Sequence, residues 1–518
     1  MPALTGLPDA LGQISHLDES ELSKMSGRLP SRGSVIAGMI DLIRLLTPGN
    51  IFTVHITRNL VLASAAVCAV GIRSASGVFA MDLVTKSPEQ VSQSSPSLEP
   101  SPGAGQQSTV FADWGGLRSW LGNRGIDLGV SYLSESAWNV AGGMAPGGTY
   151  AGQENVSLDL NWEKLASING FSTHIDVVSR AGSSNVSSKY VGDVLFQAQE
   201  IYGSPTVVEA FAHLAYFYVE EKLFDGNVDL RAGRLPVRND FGTLPGTCFD
   251  FMSLSICANP SSTSNLSWTV FPVANWGGVA AFKISGPLTF KIGAYEVNPN
   301  DGGEYGFEWG LNGAAGVLIP AEFDWNVNLG PQQLPGLYKI GGSYDTSPLS
   351  DWLTATNGLP LPLTTAPPRQ SERTTLYLLG QQRIWQPDSY SGRGVTVVAG
   401  YEYNSPEVSL FEDFAFLGFV DVGPLPWRPQ DQVGFEAAYG RVSPFLTQLQ
   451  QLQSALGLPL SNGAPGVETD EIILEANYHI ALYPGLYLMP DLQYIIRPSG
   501  ASTFPNAWVA GFRISATL

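Results

Sequence analysis

The chain predicts an all-β protein, an antiparallel transmembrane β-barrel, and three observations point there. The first is period-two alternation, which recurs in segment after segment from Ile126 onward. The second is the closing stretch Trp508 to Leu518. There Trp508, Ala510, Phe512, Ile514, Ala516 and Leu518 share one face, and Arg513 lies on the other. Successive side chains of a strand point to opposite faces, and about ten residues let a tilted strand cross a bilayer. The third is hydropathy. Its mean of +0.05 is high for a soluble protein and far too low for a helical membrane protein. No apolar run of about eighteen residues lies in the body of the chain, so transmembrane helices are not expected. A barrel falls between these classes because only alternate residues face lipid. Taken alone, the terminal stretch fits the closing strand of a barrel and the last strand of a soluble sandwich equally.

The first eighty residues differ from the rest. Arg58 precedes the apolar run NLVLASAAVCAVGI, which has the length of a signal-peptide core, and Val78 and Ala80 suit a small-residue cleavage site after Ala80. Residues 1–80 are therefore expected to be a long n-region plus a signal peptide, with Met25 or Met39 as alternative starts. Residues 81–108 are rich in Ser, Pro and Gln and read as a linker that cannot bury enough apolar surface to fold. Residues 109–518 remain as the barrel domain.

Within that domain FADWGGLRSWLGNRG predicts a short helix ending at Gly125. Strand-like segments follow, beginning with IDLGVSYL, NVSLDLNW and THIDVVSR and ending with EIILEANYHI, LYLMPDLQYII and the terminal stretch. Gly, Pro, Asn and Asp clusters separate them. Aromatic residues near strand ends (Trp138, Trp162, Tyr218, Trp276, Tyr295, Trp309, Trp508) suit interfacial girdles, or equally a soluble core. Two stretches break the pattern. Residues 240–275 are loop-like, and FLTQLQQLQSALGLPLSNGAPG has helical spacing followed by a Gly/Pro loop. Long loops of this kind are where a pore is narrowed.

The sequence carries 27 Lys and Arg against 46 Asp and Glu. Without residues 1–80, which hold six bases and five acids, 21 and 41 remain, a net charge of −20. Such acidity argues against a nucleic-acid partner. Cys248 and Cys257 stand nine positions apart in a Gly/Pro/Ser-rich region with no His nearby. In an exported chain this favours a disulfide that pins a loop over a metal site, with two free thiols as the alternative. The remaining histidines are His174, His213 and His479, and neither a G-x-S-x-G nor an H-E-x-x-H pattern occurs. No enzyme, cofactor or metal is expected. Arg231, Glu296, Arg383, Glu475, Asp491, Gln493 and Arg513 fall at lumen-facing phase. LRAGRLPVRNDFG gathers Arg231, Arg234, Arg238 and Asp240 near one strand end. Charged groups beside aromatic faces could guide a neutral, hydroxyl-rich solute, and loop-stabilising ion pairs are the plainer reading.

Taken in order, these segments resemble the carbohydrate-selective porin (OprB-type) family of bacterial outer membranes. DWGGLRSWLGNRGIDLGVSYLSESAWNVAGG is similar to that family's opening, with Glu135, Asn139, Gly142 and Gly143 at Glu-x-x-x-Asn-x-x-Gly-Gly spacing. LRAGRLPVRNDFG is similar to its Arg-Ala-Gly-Arg-Leu strand. GAYEVNP, LPGLYKIGGSYDT, LYLLGQQRIWQP, GPLPWRPQDQVGF and EANYHIALYPGLYLMPDLQYIIRPSG follow in family order. The resemblance implies sixteen strands, a short N-terminal helix, long extracellular loops and facilitated diffusion of glucose-like mono- and oligosaccharides. It also implies an outer-membrane location, with sugar solutes, lipid and the assembly machinery as partners, as a monomer or homotrimer. Motif position assigns the constriction to Glu135, Asn139, Arg231, Arg234, Arg238 and Asp240. Two features depart from the family pattern: the chain ends on Leu518 rather than an aromatic, and the insert around 445–467 has no counterpart. A general, weakly cation-favouring pore is the alternative within the class. An outer-membrane barrel hydrolase and a secreted polysaccharide-binding β protein are the alternatives outside it.

Overall fold

Sixteen antiparallel strands follow one another around a closed barrel, and the last pairs with the first. The structure is a computed structural model that describes residues 109–518, apart from 183–184, 202–209, 258–266, 304, 308 and 388–391. The expected signal segment, its cleavage site after Ala80 and the linker 81–108 lie outside the described residues.

The first quarter of the wall is β1 (Ile126–Ala141), β2 (Gly147–Asn161), β3 (Phe171–Gly182) and β4 (Ala210–Leu223). The second is β5 (Val228–Leu235), β6 (Asn275–Lys283), β7 (Leu288–Val297) and β8 (Gly316–Leu329). Then come β9 (Leu334–Ala355), β10 (Pro368–Trp385), β11 (Gly394–Asn404) and β12 (Phe411–Val422). The wall ends with β13 (Gln432–Val442), β14 (Asp470–Tyr483), β15 (Leu486–Ile496) and β16 (Ala507–Thr517). The seam between β1 and β16 runs from Ser131↔Thr517 to Ala141↔Trp508, so the sheet has no free edge. Connections at one end are mostly tight, and most at the other are long. In outer-membrane barrels the short turns are periplasmic and the long loops extracellular.

Alternation sorts each strand into an outer and an inner face. Along β16, Trp508 is exposed while Val509 and Arg513 are buried. Trp138 on β1 packs against Phe512, and Tyr494 on β15 against Trp508. The girdle reading fails for Tyr218 and Tyr295, which are 3% and 0% exposed. Tyr218 stacks on the inward His174, and Tyr295 stands edge-on to Phe241 of the β5–β6 loop. Glu296 takes the opposite phase to Tyr295. It pairs across the ladder with Val317, which is 40% exposed, so it stands on the outer face rather than in the lumen.

One strand, β12, left little alternation in the sequence, and the interior explains why. The β3–β4 and β5–β6 loops fold into the barrel and bring Phe196, Phe241, Phe251, Met252 and Trp268 against inward wall residues. On β12 those residues are Phe414, Phe416 and Val420, so FEDFAFLGFVDV is apolar on both faces. On β8 the fully buried Leu318 also meets these loops, while Glu322 and Asp324 keep the rest of its inner face charged and Pro320 falls inside the strand. Each large side chain removed from water in this way contributes about 2–3 kcal/mol to holding the loops in place.

The expected helices form. One spans Leu117–Gly122 before β1, and Pro444–Ala455 follows a Ser443 cap whose hydroxyl accepts from the Phe445 and Leu446 amides. The β5–β6 loop holds two helical turns, Thr247–Asp250 and Leu254–Cys257, and Cys248 and Cys257 are bonded at 2.00 Å.

Candidate functional site

The β5–β6 loop is the element that shapes the bore. It leaves the wall at Leu235 and stays anchored near its origin. Gly242 donates its amide to Glu322 on β8 (2.8 Å), and Trp268 Nε1 donates to Ser343 on β9 (3.1 Å). Its middle is bonded to the opposite wall. The Met252 and Ser253 amides donate to the two oxygens of Glu475 on β14 (2.7 and 2.9 Å). The Ser253 and Ser255 hydroxyls donate to Glu436 on β13. Asp250 accepts from Gln432 through its carboxylate and from Asn477 through its carbonyl. The loop springs from β5 and β6, and β13 and β14 stand eight places from them in a ring of sixteen, so it crosses the lumen.

The near wall carries a line of alternating charge. Arg231 on β5 donates Nε to Glu220 (3.0 Å), Nη2 to Asp229 (2.9 Å) and Nη1 to Asp240 (2.7 Å). Glu220 also meets Lys222 and lies near His174, whose Nδ1 is 2.5 Å from Asp159. Asp240 links this cluster to a second one. Its carboxylate accepts from the Tyr295 hydroxyl (3.2 Å), and its carbonyl accepts from Lys291 (2.5 Å). Lys291 and Lys339 both reach Glu322 and Asp324, and the Tyr377 hydroxyl donates to Glu322. Arg231, Asp229, Lys291 and Asp324 keep 13–19% of their side-chain surface open, which separates them from the sealed anchors Glu436 and Glu475.

On the far wall Arg513 of β16 is the hub. It donates to Glu135 on β1 (2.6 Å), to Glu200 of the β3–β4 loop (2.6 Å) and to the Cys248 carbonyl (2.8 Å). Glu135 also accepts from the Ile201 amide, so this charge group ties both inward loops to the seam. Burial pushes the Glu200 carboxyl up to about 7, against the pull of the Arg513 guanidinium. Phe249 sits beside this hub, with its ring 5.5 Å from Tyr487 and 4.9 Å from His479.

The six residues assigned by motif position do not form one ring. Arg231 and Asp240 meet, as described. Arg238 is buried, and burial draws its basicity down. Arg234 is fully buried, with the outer-face residues Phe217 and Trp276 as ladder neighbours, and its Nη2 donates to the Ala274 carbonyl. Glu135 stands across the bore. Asn139 organises the β1–β2 loop by donating to the Gly142, Ala145 and Tyr190 carbonyls. The Gly-Gly beside it is steric: Gly142 has φ +71°, and a Cβ there would sit 1.8 Å from the Asn506 carbonyl oxygen. Lys291, Glu322, Asp324, Lys339 and Tyr377 were not singled out from the sequence. Their signal was inward phase on neighbouring strands, and that needs the register before it can be used.

Residues 145–518 match the carbohydrate-selective porin, OprB family. The chain belongs to that family. It is similar to Porin B of Pseudomonas aeruginosa, at 27% identity over 79% of this chain and 91% of that protein. It is similar at the same identity to a putative porin, QuiX, of Acinetobacter baylyi, over 78% and 91%. Its fold is shared with Pseudomonas putida OprB at high pH, with a TM-score of 0.73 and 24% identity over 81% of this chain and all of that one. The protein is thus a carbohydrate porin, a channel of the bacterial outer membrane.

Proposed function

We propose that this porin passes glucose-like mono- and oligosaccharides by facilitated diffusion, through a constriction between the β5–β6 loop and the β5–β9 wall. The bonding of that loop to opposite walls carries the reading, because it confines solute to the side where Arg231, Asp229, Lys291 and Asp324 keep open surface. A sugar needs donors and acceptors in close alternation, each held too firmly by its neighbours to collapse onto the solute. The Arg231–Asp240–Lys291 line supplies them in that form. Export through a signal peptide cleaved after Ala80 and insertion by the outer-membrane assembly machinery complete the proposal. No catalytic step belongs to it.

Liposome swelling over a sugar series tests this reading. Glucose and short maltodextrins should permeate well above protein-free controls, and Asp240→Asn, which removes the negative charge opposite Arg231, should change the sugar preference while pore formation persists. Permeation that tracks only solute size, unaltered by Asp240→Asn, would sink the proposal in favour of a general pore.

A further inference from the structure

Diffusion of a solute needs no chemistry, yet the bore carries three side chains arranged for it. Ser172 and His174 are alternate residues of β3, so both stand on its inward face, between β2 and β4. Ser172 Oγ lies 3.0 Å from His174 Nε2, and His174 Nδ1 lies 2.5 Å from Asp159 Oδ1 on β2. A hydroxyl, an imidazole and a carboxylate in that order are the parts of a nucleophilic triad. The carboxylate holds the ring with its proton on Nδ1, which leaves the Nε2 lone pair to take the proton of the hydroxyl. The ladder holds these parts in place. Asp159 is directly opposite His174 on one side, and Tyr218, opposite on the other, stacks on the ring at 4.6 Å.

Glu220 and Lys222 on β4 complete the cluster. Glu220 Oε2 lies 3.3 Å from Ser172 Oγ and 3.7 Å from His174 Nε2. Lys222 Nζ and Arg231 Nε, each at 3.0 Å, bind the same carboxylate. Its two oxygens are therefore occupied by cations, and His174 is the nearer acceptor for the Ser172 proton. Once His174 holds that proton, Asp159 and Glu220 flank the imidazolium and steady it. Lys222 and Ser172 meet the same Glu220 oxygen, so the ammonium stands close to negative charge that develops on a carbonyl attacked by Ser172. The side chains of Asp159 and Lys222 are 43% and 42% open. Ser172 is the second residue of β3, so the cluster stands at the short-turn end of the wall. A solute that clears the Arg231–Asp240 pair meets it next.

We propose that Ser172, His174 and Asp159 hydrolyse short-chain carboxylic esters, of the kind that an O-acylated, hydroxyl-rich solute carries. Ser172 Oγ attacks the ester carbonyl carbon while His174 Nε2 takes its proton. The bond from that carbon to the alcohol oxygen breaks, and His174 gives the proton to the leaving oxygen. Water then attacks the acyl-serine carbonyl, with His174 again taking and returning a proton. The carboxylic acid leaves and the Ser172 hydroxyl is restored. Only the ester and one water are consumed. This activity is independent of the transport reading: passage through the bore does not require it, and it does not require a preference for sugars.

The test uses the full chain, heat-modifiable in mild detergent, with p-nitrophenyl acetate as the ester and a fluorophosphonate as the serine probe. The wild type should release nitrophenol well above protein-free micelles, at a rate that rises with pH until His174 is neutral. Peptide mass spectrometry should place the phosphonyl group on Ser172. Ser172→Ala and His174→Gln should each lower the rate at least about a hundredfold, and Asp159→Asn should lower kcat with KM little changed. Ser172→Ala should swell glucose-loaded liposomes as the wild type does, so loss of hydrolysis and loss of the pore are read separately. An unlabelled Ser172 in a barrel that still conducts would overturn the proposal. So would hydrolysis that Ser172→Ala leaves intact, and the three side chains would then only brace the wall.

Discussion

Replacing Glu475 with alanine should loosen the β5–β6 loop from the far wall without unfolding the barrel. The Glu475 carboxylate is fully buried and accepts the Met252 and Ser253 amides at 2.7 and 2.9 Å. Its loss leaves two buried N–H groups unsatisfied, at about 1–3 kcal/mol each. Water entering the vacated space recovers part of this, so about 3 kcal/mol is a fair net figure, or roughly a hundredfold in the undocking equilibrium. The Glu436, Gln432 and Asn477 contacts remain, so the loop stays docked most of the time and opens more often. Hydrogen exchange at the Met252 and Ser253 amides should accelerate by about that factor. Single-channel records in planar bilayers should show larger and noisier conductance. Glu475→Gln keeps the shape and one acceptor and should fall between. Unchanged exchange and conductance in a normally heat-modifiable Glu475→Ala barrel would refute the claim that this carboxylate holds the loop across the lumen.

Other perturbations address different parts of the molecule. Arg513→Met strands the buried Glu135 carboxylate and should cost about 3–5 kcal/mol; Glu135→Gln in the same chain should recover much of it, read by urea unfolding in liposomes. Glu468, sealed in the β13–β14 loop, is pushed up to about 7 by burial, although Gln450 and Asn462 donate to it. A raised value means that its contribution to loop packing is full below about pH 4.5 and is lost as pH rises through about 7, worth up to about 3 kcal/mol. Exchange in the Pro444–Ala455 helix should quicken over that window, and Glu468→Gln should flatten the profile. Reduction of Cys248–Cys257, or Cys248→Ser with Cys257→Ser, should raise proteolytic nicking of the β5–β6 loop while heat-modifiable migration is retained.

The wall of the barrel was legible wherever one face met lipid and the other met water or charge. β16 displays that pattern in full and β1 over Ile126–Tyr132, and Arg513 could be placed inside from the sequence. β12 could not be read, because loops distant in sequence fill the lumen and make both its faces apolar; β8 alternates from Ile319 to Asn328, but Pro320 interrupts the run. The same cause hid Tyr218 and Tyr295, which look like interface aromatics until something inside the barrel is there to cover them. At the site, LRAGRLPVRNDFG gave Arg231 and Asp240 because their partnership is local. It could not separate Arg231 from Arg234, which differ by a change of face, nor reveal Lys291 and Glu322, which register brings together from β7 and β8.

The heights of the strands differ around the ring, and this shapes the mouth. β9 has 22 residues and β10 has 18, while β16 has 11. At about 3.3 Å per residue, β9 is roughly twice as long as β16. Its upper part, beyond Asp345, has left β8 behind and pairs with β10 alone. There Trp352 and Leu353 pack near Leu446 and Leu449 of the Pro444–Ala455 helix, which props the tall hairpin. The rim is therefore oblique, raised where the β9–β10 hairpin outgrows its neighbours. The tall hairpin rises from the strand that carries Lys339, at the end of the charged line away from Arg231.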